Sequence, residues 1–438
     1  MKRNTDKEAD TERSNKVLII TYYWPPAGGP GVQRWLYFTK YLQELGVSPV
    51  LYIPARPNYP LQDKGLGQEA PENLKIYRAT FWEPYRLASL FGKKRTQRIS
   101  AGIIKRERPG FLERLLLWIR GNLFIPDARK FWVSKALKEV PGILEGEGID
   151  TVITTGPPHS LHLIGKALKS RHGIRWLADF RDPWTTIGYQ DTLQLGRRAR
   201  RLHTKLELAV LQAADVVIAT SGHTAADFEA ISQRPIHVIT NGYAGDLGSG
   251  KQPKGFFTLA HIGSLLSGRN PEVLWEVLAE LCSEIPGFEE ELRLELTGIV
   301  SPEVKASISQ AGLDPYVVYK QYLPHAEALE AQRQAQILLL LEINSAKTKG
   351  IVPGKLFEYM AAARPILAIG PEQWEAANLL NQAGCGKGFT YRQTAEIREQ
   401  IVHWYQAYSR GELHQDPSGA EQFHRKKLTR DLKSLLWE

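Results

Sequence analysis

Residues 350–371 read GIVPGKLFEYMAAARPILAIGP. Leu356, Phe357, Tyr359, Met360 and the alanines after them leave almost no polar face. That composition predicts a buried helix, followed by the short apolar strand ILAIG. Within the helix stands Glu358, with Lys355 three residues before it and Pro353 and Gly354 just upstream. A buried carboxylate is very costly unless hydrogen-bonded. Pro353 suits the start of a helix and Gly354 lets a ligand approach the backbone. Free N–H groups of the first turn, with Lys355 beside them, make an anion site for which a phosphate is the natural guest. A pair of adjacent hydroxyls, as on a ribose, would satisfy both oxygens of Glu358. The competing reading is a local Lys355–Glu358 ion pair at i, i+3 spacing.

Outward from this unit, helices and short apolar runs alternate along the chain. Before residue 245 the strands are KVLII, VSPVLYIP, DTVITT, IRWLADF, DVVIA and IHVIT; a long helix is expected over Gln194–Ala213. NGYAGDLGSGKQPKG is dense in Gly and polar residues and reads as a linker. The alternation restarts with FFTLAHI, LRLELT, PYVVYKQYLP and ILLLLEI, and from about residue 400 the pattern is helical. Such alternation means parallel sheets covered on both faces, hence an α/β fold of two doubly wound domains. The expected organisation is a disordered tail over 1–15, a first domain over 16–245 and a linker over 246–255. A second domain over 256–410 follows, then a helical segment over 411–438 that packs back on the first domain. Doubly wound domains hold ligands at the carboxyl ends of their strands, here in the cleft between the two.

At 438 residues the chain exceeds one ordinary hydrophobic core. Cys282 and Cys385 are its two cysteines, too few for a disulfide framework or zinc cluster, so a reducing cytoplasm is expected. The N-terminal MKRNTDKEADTERSNK has no apolar core of a secretory signal, and no run has membrane-spanning length. Net charge is +9. Between Lys93 and Lys138 stand 13 Lys or Arg against 3 Asp or Glu, a local excess as large as that of the whole chain. The stretch RPGFLERLLLWIRGNLFIPDARKFW interleaves Leu116, Trp118, Phe124, Phe131 and Trp132 with Arg114, Arg120, Arg129 and Lys130. It is expected to lie on an anionic membrane surface; the plainer reading is the core face of an ordinary helix. No nucleic-acid module is recognisable, so nucleic acid is not an expected partner.

Other candidates sit at predicted strand ends. PPAGGPG opens the first helix, where Gly28, Gly29 and Gly31 would let the backbone approach a diphosphate. Its spacing is not the dinucleotide fingerprint. ADFRDPW places Asp179, Arg181 and Asp182 together, as working residues or as a structural salt bridge. His159 follows another strand, and Arg269 follows the first strand of the second domain. No Asp-x-Asp pair occurs, so no divalent metal and no other cofactor is expected; cations would neutralise a diphosphate instead.

The Gly-rich first turn, VITNGY, AHIGSL and above all GKLFEYMAAARPILAIG resemble the retaining glycosyltransferases of family 4. The resemblance spans the whole chain and implies the GT-B fold, two Rossmann-like domains facing across a cleft. It implies that Glu358 binds the ribose of a nucleotide sugar. Val352, Pro353, Gly354 and Lys355 would meet donor sugar and pyrophosphate, and Arg269 the pyrophosphate. Arg181, Asp182 and His159 are the expected catalytic set, and Gly28 and Gly29 complete the donor site. The implied activity is transfer of a sugar, such as a hexose, from a nucleotide diphosphate to an acceptor hydroxyl with retention. A glycan or lipid-linked acceptor in cell-surface polysaccharide or glycolipid synthesis is expected. Alternatives are a GT-B-like sugar-nucleotide epimerase and a non-catalytic sugar-nucleotide or glycan-binding protein. Two positions depart from the family pattern. Gly350 stands where many members carry Glu, leaving Lys347 or Lys349 as substitutes, and Arg181 stands where many carry His.

Overall fold

A computed structural model describes residues 15–59, 62–63, 65–82, 111–186 and 193–437. Most of the tail and the first part of the basic segment, residues 83–110, lie outside the described residues. The chain builds two all-parallel sheets. The first comprises β1 (Lys16–Ile20), β2 (Ser48–Pro54), β3 (Lys75–Ala79), β4 (Thr151–Gly156), β5 (Arg175–Phe180), β6 (Val216–Ala219) and β7 (His237–Val238), in the order β3-β2-β1-β4-β5-β6-β7. The second comprises β8 (Phe257–Ile262), β9 (Leu292–Thr297), β10 (Val317–Lys320), β11 (Ile337–Leu341), β12 (Ile366–Gly370) and β13 (Gly386–Thr390), in the order β10-β9-β8-β11-β12-β13. Both reverse direction beside their first strand, between β1 and β4 and between β8 and β11. Those are the two switch points at which a doubly wound sheet opens a crevice.

The central strands are buried on both faces, which is why they read as unbroken apolar runs: β11 is ILLLL with every residue buried. Each sheet has its own core. One is centred on Ile19, Trp35, Ile153 and Leu177, the other on Leu259, Leu294, Leu339 and Leu367. A further apolar cluster lies on the other face of the second sheet and contains Leu356, Phe357, Tyr359 and Met360.

Past the helix Thr394–Ser409 the chain returns to the first domain. The helix Arg425–Ser434 and the turn after it place Leu428, Leu432 and Leu436 in the first core. It is tied to the helix Pro30–Glu44 by Lys426–Glu44 at 2.7 Å and by Lys433 Nζ donating to Leu45 O at 2.8 Å. The outgoing and returning crossovers touch: Tyr243 N donates to Phe423 O, and Arg425 N to Tyr243 O. Among the described residues no helix is long and apolar enough to cross a membrane.

Candidate active site

On the second domain the helix is Lys355–Ala361, with Gly354 as its N-cap, so Pro353 lies just outside it rather than at its first position. Val352, Pro353 and Gly354 form the half-buried turn leading into it. Lys355 and Glu358 are each directed to other partners, so the local pair is not what holds them. Lys355 Nζ lies 3.4 Å from His261 Nε2 on β8. His261 is buried and its Nδ1 faces Leu339 O at 3.0 Å. The Nδ1 proton is therefore committed to that carbonyl and the Nε2 lone pair faces Lys355. Gly263, just past β8, has φ +124°, and a Cβ there would stand 2.8 Å from Lys355 Nζ. Glycine thus serves both the turn and the seat of the ammonium. Burial first, then the Arg269 charge, pulls Lys355 down to about 8.

Arg269 ends the short 3-10 turn after β8. Its Nε and Nη2 donate to the two oxygens of Glu342 at 3.1 and 3.3 Å. Glu342 follows β11 and is fully buried; the two-pronged bond fixes the guanidinium while a third of that side chain stays exposed. Two cations thus converge where β8, β11 and the Lys355 helix meet.

Glu358 lies one turn along. Its Oε1 is 3.0 Å from His325 Nε2, and its Oε2 accepts from Gln332 Nε2 at 3.4 Å. Burial would push its carboxyl up, but the His325 bond and the His325 and Arg425 charges outweigh that and hold it low. His325 is raised in turn, chiefly by the Glu358 bond. Glu358 borders a cavity of about 150 Å³ walled by Tyr37, Tyr243, His325, Gln332 and Arg425. This cavity belongs to both domains. Arg425, from the returning helix, donates to Gln33 Oε1 at 2.9 Å, and Gln33 Nε2 lies 3.1 Å from His325 Nε2.

On the first domain Gly29 caps the helix Pro30–Glu44 with φ +102° and no side-chain cap, and Gly28 precedes it half-buried. Arg181, after β5, lies against this tip. A Cβ on Gly31 would stand 1.8 Å from its Nη1. Arg181 Nε donates to Gly156 O at 3.3 Å, Nη2 donates to Pro157 O, and the guanidinium faces the Tyr23 ring.

Asp179 is a structural residue. It is fully buried and accepts from Arg34 Nη2, Trp35 Nε1 and Thr155 Oγ1, each at 2.8 Å. Its salt-bridge partner is Arg34, not Arg181, and the pair fixes the first helix on the sheet. Asp182 is exposed beside Arg181. His159 is 4% exposed and stacked on Trp184 at 5.0 Å. Neither of its ring nitrogens has a hydrogen-bond partner among the described residues, and burial keeps the ring neutral.

At the cleft edge the Glu375 carboxylate accepts from Gly222 N at 2.5 Å and from His223 N at 2.9 Å, bridging the domains. Gly350 packs against the same His223, whose ring leaves 2.5 Å to a Cβ at position 350. Lys349 is turned to Gln373 Oε1 at 3.1 Å. Sequence reasoning missed Glu342, His261, His325, Gln33, Arg425 and Glu375. Of these, Glu342 carried a readable signal, a carboxylate directly after ILLLL. Among the described residues no group of three or more His, Cys, Asp or Glu is placed to hold a metal ion.

The family model described as "Glycosyl transferase 4-like domain" matches residues 28–242. No curated protein matches the chain. Among solved structures, a glycosyltransferase from Rickettsia africae is 12% identical with a TM-score of 0.60, over 96% of this chain and 97% of that one. HepE of Anabaena, solved in complex with UDP, is 13% identical with a TM-score of 0.60, over 96% and 99%. WaaG, a glycosyltransferase involved in lipopolysaccharide biosynthesis, is 13% identical with a TM-score of 0.54, over 96% and 99%. At these identities the likeness is one of fold. The chain carries a glycosyl transferase 4-like domain on residues 28–242 and has the two-domain GT-B fold.

Proposed function

We propose that the protein transfers a sugar, such as a hexose, from a nucleoside diphosphate to an acceptor hydroxyl with retention of configuration. The observation that carries this is the Lys355–Ala361 helix. Lys355 and Arg269 meet at its tip, and Glu358 stands one turn along at a cavity. A diphosphate at the two cations brings its ribose diol toward Glu358, where it would take over the bonds now made by His325 and Gln332. As the bond between the anomeric carbon and the phosphate oxygen breaks, negative charge grows on the diphosphate. Lys355 and Arg269 stabilise it without a metal ion, and the backbone at Gly28, Gly29 and the turn Val352–Gly354 borders it. The acceptor oxygen bonds to the anomeric carbon from the same face and its proton passes to the departing phosphate. Arg181 and Asp182, at the end of β5, are proposed to face the donor sugar. His159, neutral beneath Trp184, lines the floor behind them.

HepE has been solved with UDP and with UDP and glucose, which supports a nucleotide sugar as donor. The acceptor is proposed to be a glycan or lipid-linked sugar, in polysaccharide or glycolipid synthesis at an anionic membrane surface. Incubation with a panel of labelled nucleotide sugars and acceptors tests the proposal. A new glycoside with release of nucleotide is the expected result. An isomerised donor would replace it with an epimerase, and binding without turnover with a sugar-nucleotide binding protein.

A further inference from the structure

The helix Phe111–Leu123 has an inner and an outer side. Leu117 is buried against Leu193, Leu195 and Ala199. Gly121 is pressed so close that a Cβ would stand 2.6 Å from Leu195 Cδ2. Asn122 Oδ1 accepts from Gly196 N at 2.8 Å, and its Nδ2 donates to Gln194 O at 3.3 Å. These contacts lock it to the start of a second helix, Arg197–Ala213. The outer side is apolar and open: Leu115, Leu116, Trp118 and Leu123 are 42–56% exposed.

The structure redraws the basic-aromatic surface that the sequence points to. Trp132 is fully buried in the first core, and Phe131 packs on Trp82 and Phe124. Arg129 turns in over the Tyr22 ring, and Lys130 Nζ donates to Leu123 O. Arg129 and Lys130 are thus half-buried and tied to their own surroundings, while Arg114 stays exposed. Further charge comes from the second helix. Between Gly196 and Leu206 it reads GRRARRLHTKL, with no acidic residue. Arg197, Arg198, Arg201 and Lys205 are exposed, and Leu202 among them is 43% exposed. Spacings of three and four residues put them on one face, since 198, 201, 202 and 205 repeat at the helical period. Ala199 and His203 point the other way, into the protein.

We propose that these two adjoining helices form one docking face for an anionic lipid bilayer. Leu115, Leu116, Trp118 and Leu123 enter the headgroup layer, and Arg197, Arg198, Arg201 and Lys205 meet the lipid phosphates. Charge chooses the occupant. An apolar face alone would suit a protein partner, and an arginine row alone would suit a polyanion in solution. Leucines and a tryptophan beside a basic row with no acidic residue between 196 and 206 suit an interface that is oily below and negative above. The inference rests on the proposed transfer reaction only for what is reached there, an acceptor held at the membrane.

The test is flotation of the full chain with phosphatidylcholine vesicles, with and without phosphatidylglycerol, at low and high salt. The parent should float with the anionic vesicles at low salt, less at high salt, and hardly at all with neutral ones. The variant Arg198→Glu/Arg201→Glu/Lys205→Glu should lower partitioning by at least about 100-fold, from about fivefold per basic residue. Leu116→Ser/Trp118→Ser should weaken it on the same vesicles while leaving the charge intact. None of the five substituted residues lies in the proposed donor site, so nucleotide binding and melting temperature should match the parent, and both are measured as controls. A parent that stays at the bottom at low salt, or a triple reversal that floats like the parent, overturns the proposal. So does a parent that ignores vesicles but is retained by RNA or self-associates through this face. Loss of nucleotide binding in the parent itself would instead strike the reaction proposed above.

Discussion

The ammonium of Lys355 gives nucleotide binding a pH dependence. In the free protein it titrates at about 8, held down by burial and by Arg269. A diphosphate arriving beside it supplies negative charge and returns it to at least the ordinary lysine value. Binding therefore favours the protonated form, and affinity is lost as pH rises through the free value. With those two values, the dissociation constant of a nucleoside diphosphate rises about eightfold between pH 7.5 and 9. The ligand is not the source of the slope, because a terminal phosphate with a second pKa near 6 is fully ionised across that range. The scan stops at pH 9 because Arg425 is itself pulled down to about 10. Folding takes the opposite sign. The unfolded chain keeps the Lys355 proton up to the ordinary 10.5 while the folded chain releases it near 8, so this residue's contribution to stability grows as pH rises between them. Titration calorimetry at five pH values measures the first effect and thermal melting the second. Lys355→Met should bind about 10- to 150-fold more weakly at pH 7.5, the worth of a hydrogen bond to a charged group, and should show no slope. Lys355→Arg should lose the slope because its guanidinium stays charged. A parent constant that changes less than twofold across the range, or a slope that survives in Lys355→Met, refutes the reasoning.

Three other outcomes follow from the same geometry. Glu358→Gln should weaken nucleoside diphosphate binding by about 1–3 kcal/mol without unfolding the chain, and a variant that binds like the parent removes Glu358 from the site. Turnover should persist in EDTA, the cations at Lys355 and Arg269 standing in for a metal. Activity that vanishes and returns with magnesium or manganese would show that the leaving group is handled otherwise. Asp179→Asn should cost about 3–5 kcal/mol in urea unfolding, because Arg34, 2% exposed, would be left buried without its counter-charge. A loss below 1 kcal/mol would mean that the first helix is held by its apolar contacts alone.

Most of the two sheets was legible because parallel strands buried on both faces leave apolar runs: LIITYYW around β1, ILLLL and ILAIG. The strands KIYRA in β3 and GKGFT in β13 are edge strands whose residues are mostly exposed or half-buried, and they carry no such run. Lys355 and Glu358 were legible for the converse reason, as charges in an apolar helix. Glu342 carries the same signal, a carboxylate at the end of an apolar run, but ILLLL reads equally well as a plain buried strand. His325, Gln33 and Arg425 had no local signal at all. They meet at the Glu358 cavity only because the chain crosses between domains twice, and 392 residues separate the two partners Gln33 and Arg425. Charge counting misled in one place. Weighing Lys93–Lys138 against the whole chain makes the remainder look neutral, and the four arginines within residues 197–201 vanish into that average.

The two departures from the family pattern share a form. Each pairs a glycine with a large side chain that arrives from elsewhere in the chain. Arg181 is larger than the histidine many family members carry, and its guanidinium lies where a side chain on Gly31 would be. Gly350 has lost the glutamate many members carry, and the space beside it is taken by His223 from the first domain. The Arg181 side chain is held in place, whereas His223 is exposed and held only through its backbone. Arg181 is bonded to Gly156 and Pro157 carbonyls, and the backbone of His223 is held by Glu375. A cleft decaying after loss of function would leave cavities at such positions, since truncation without compensation leaves a void. At 350 the space beside the glycine is taken by a residue from across the cleft, and at 31 by one from the same domain. A side chain at 350 would require the exposed imidazole of His223 to turn away while Glu375 keeps its backbone in place. The surroundings of residues 181 and 350 are therefore filled, and the transfer reaction proposed above would use a donor-sugar end that differs from the family's common form.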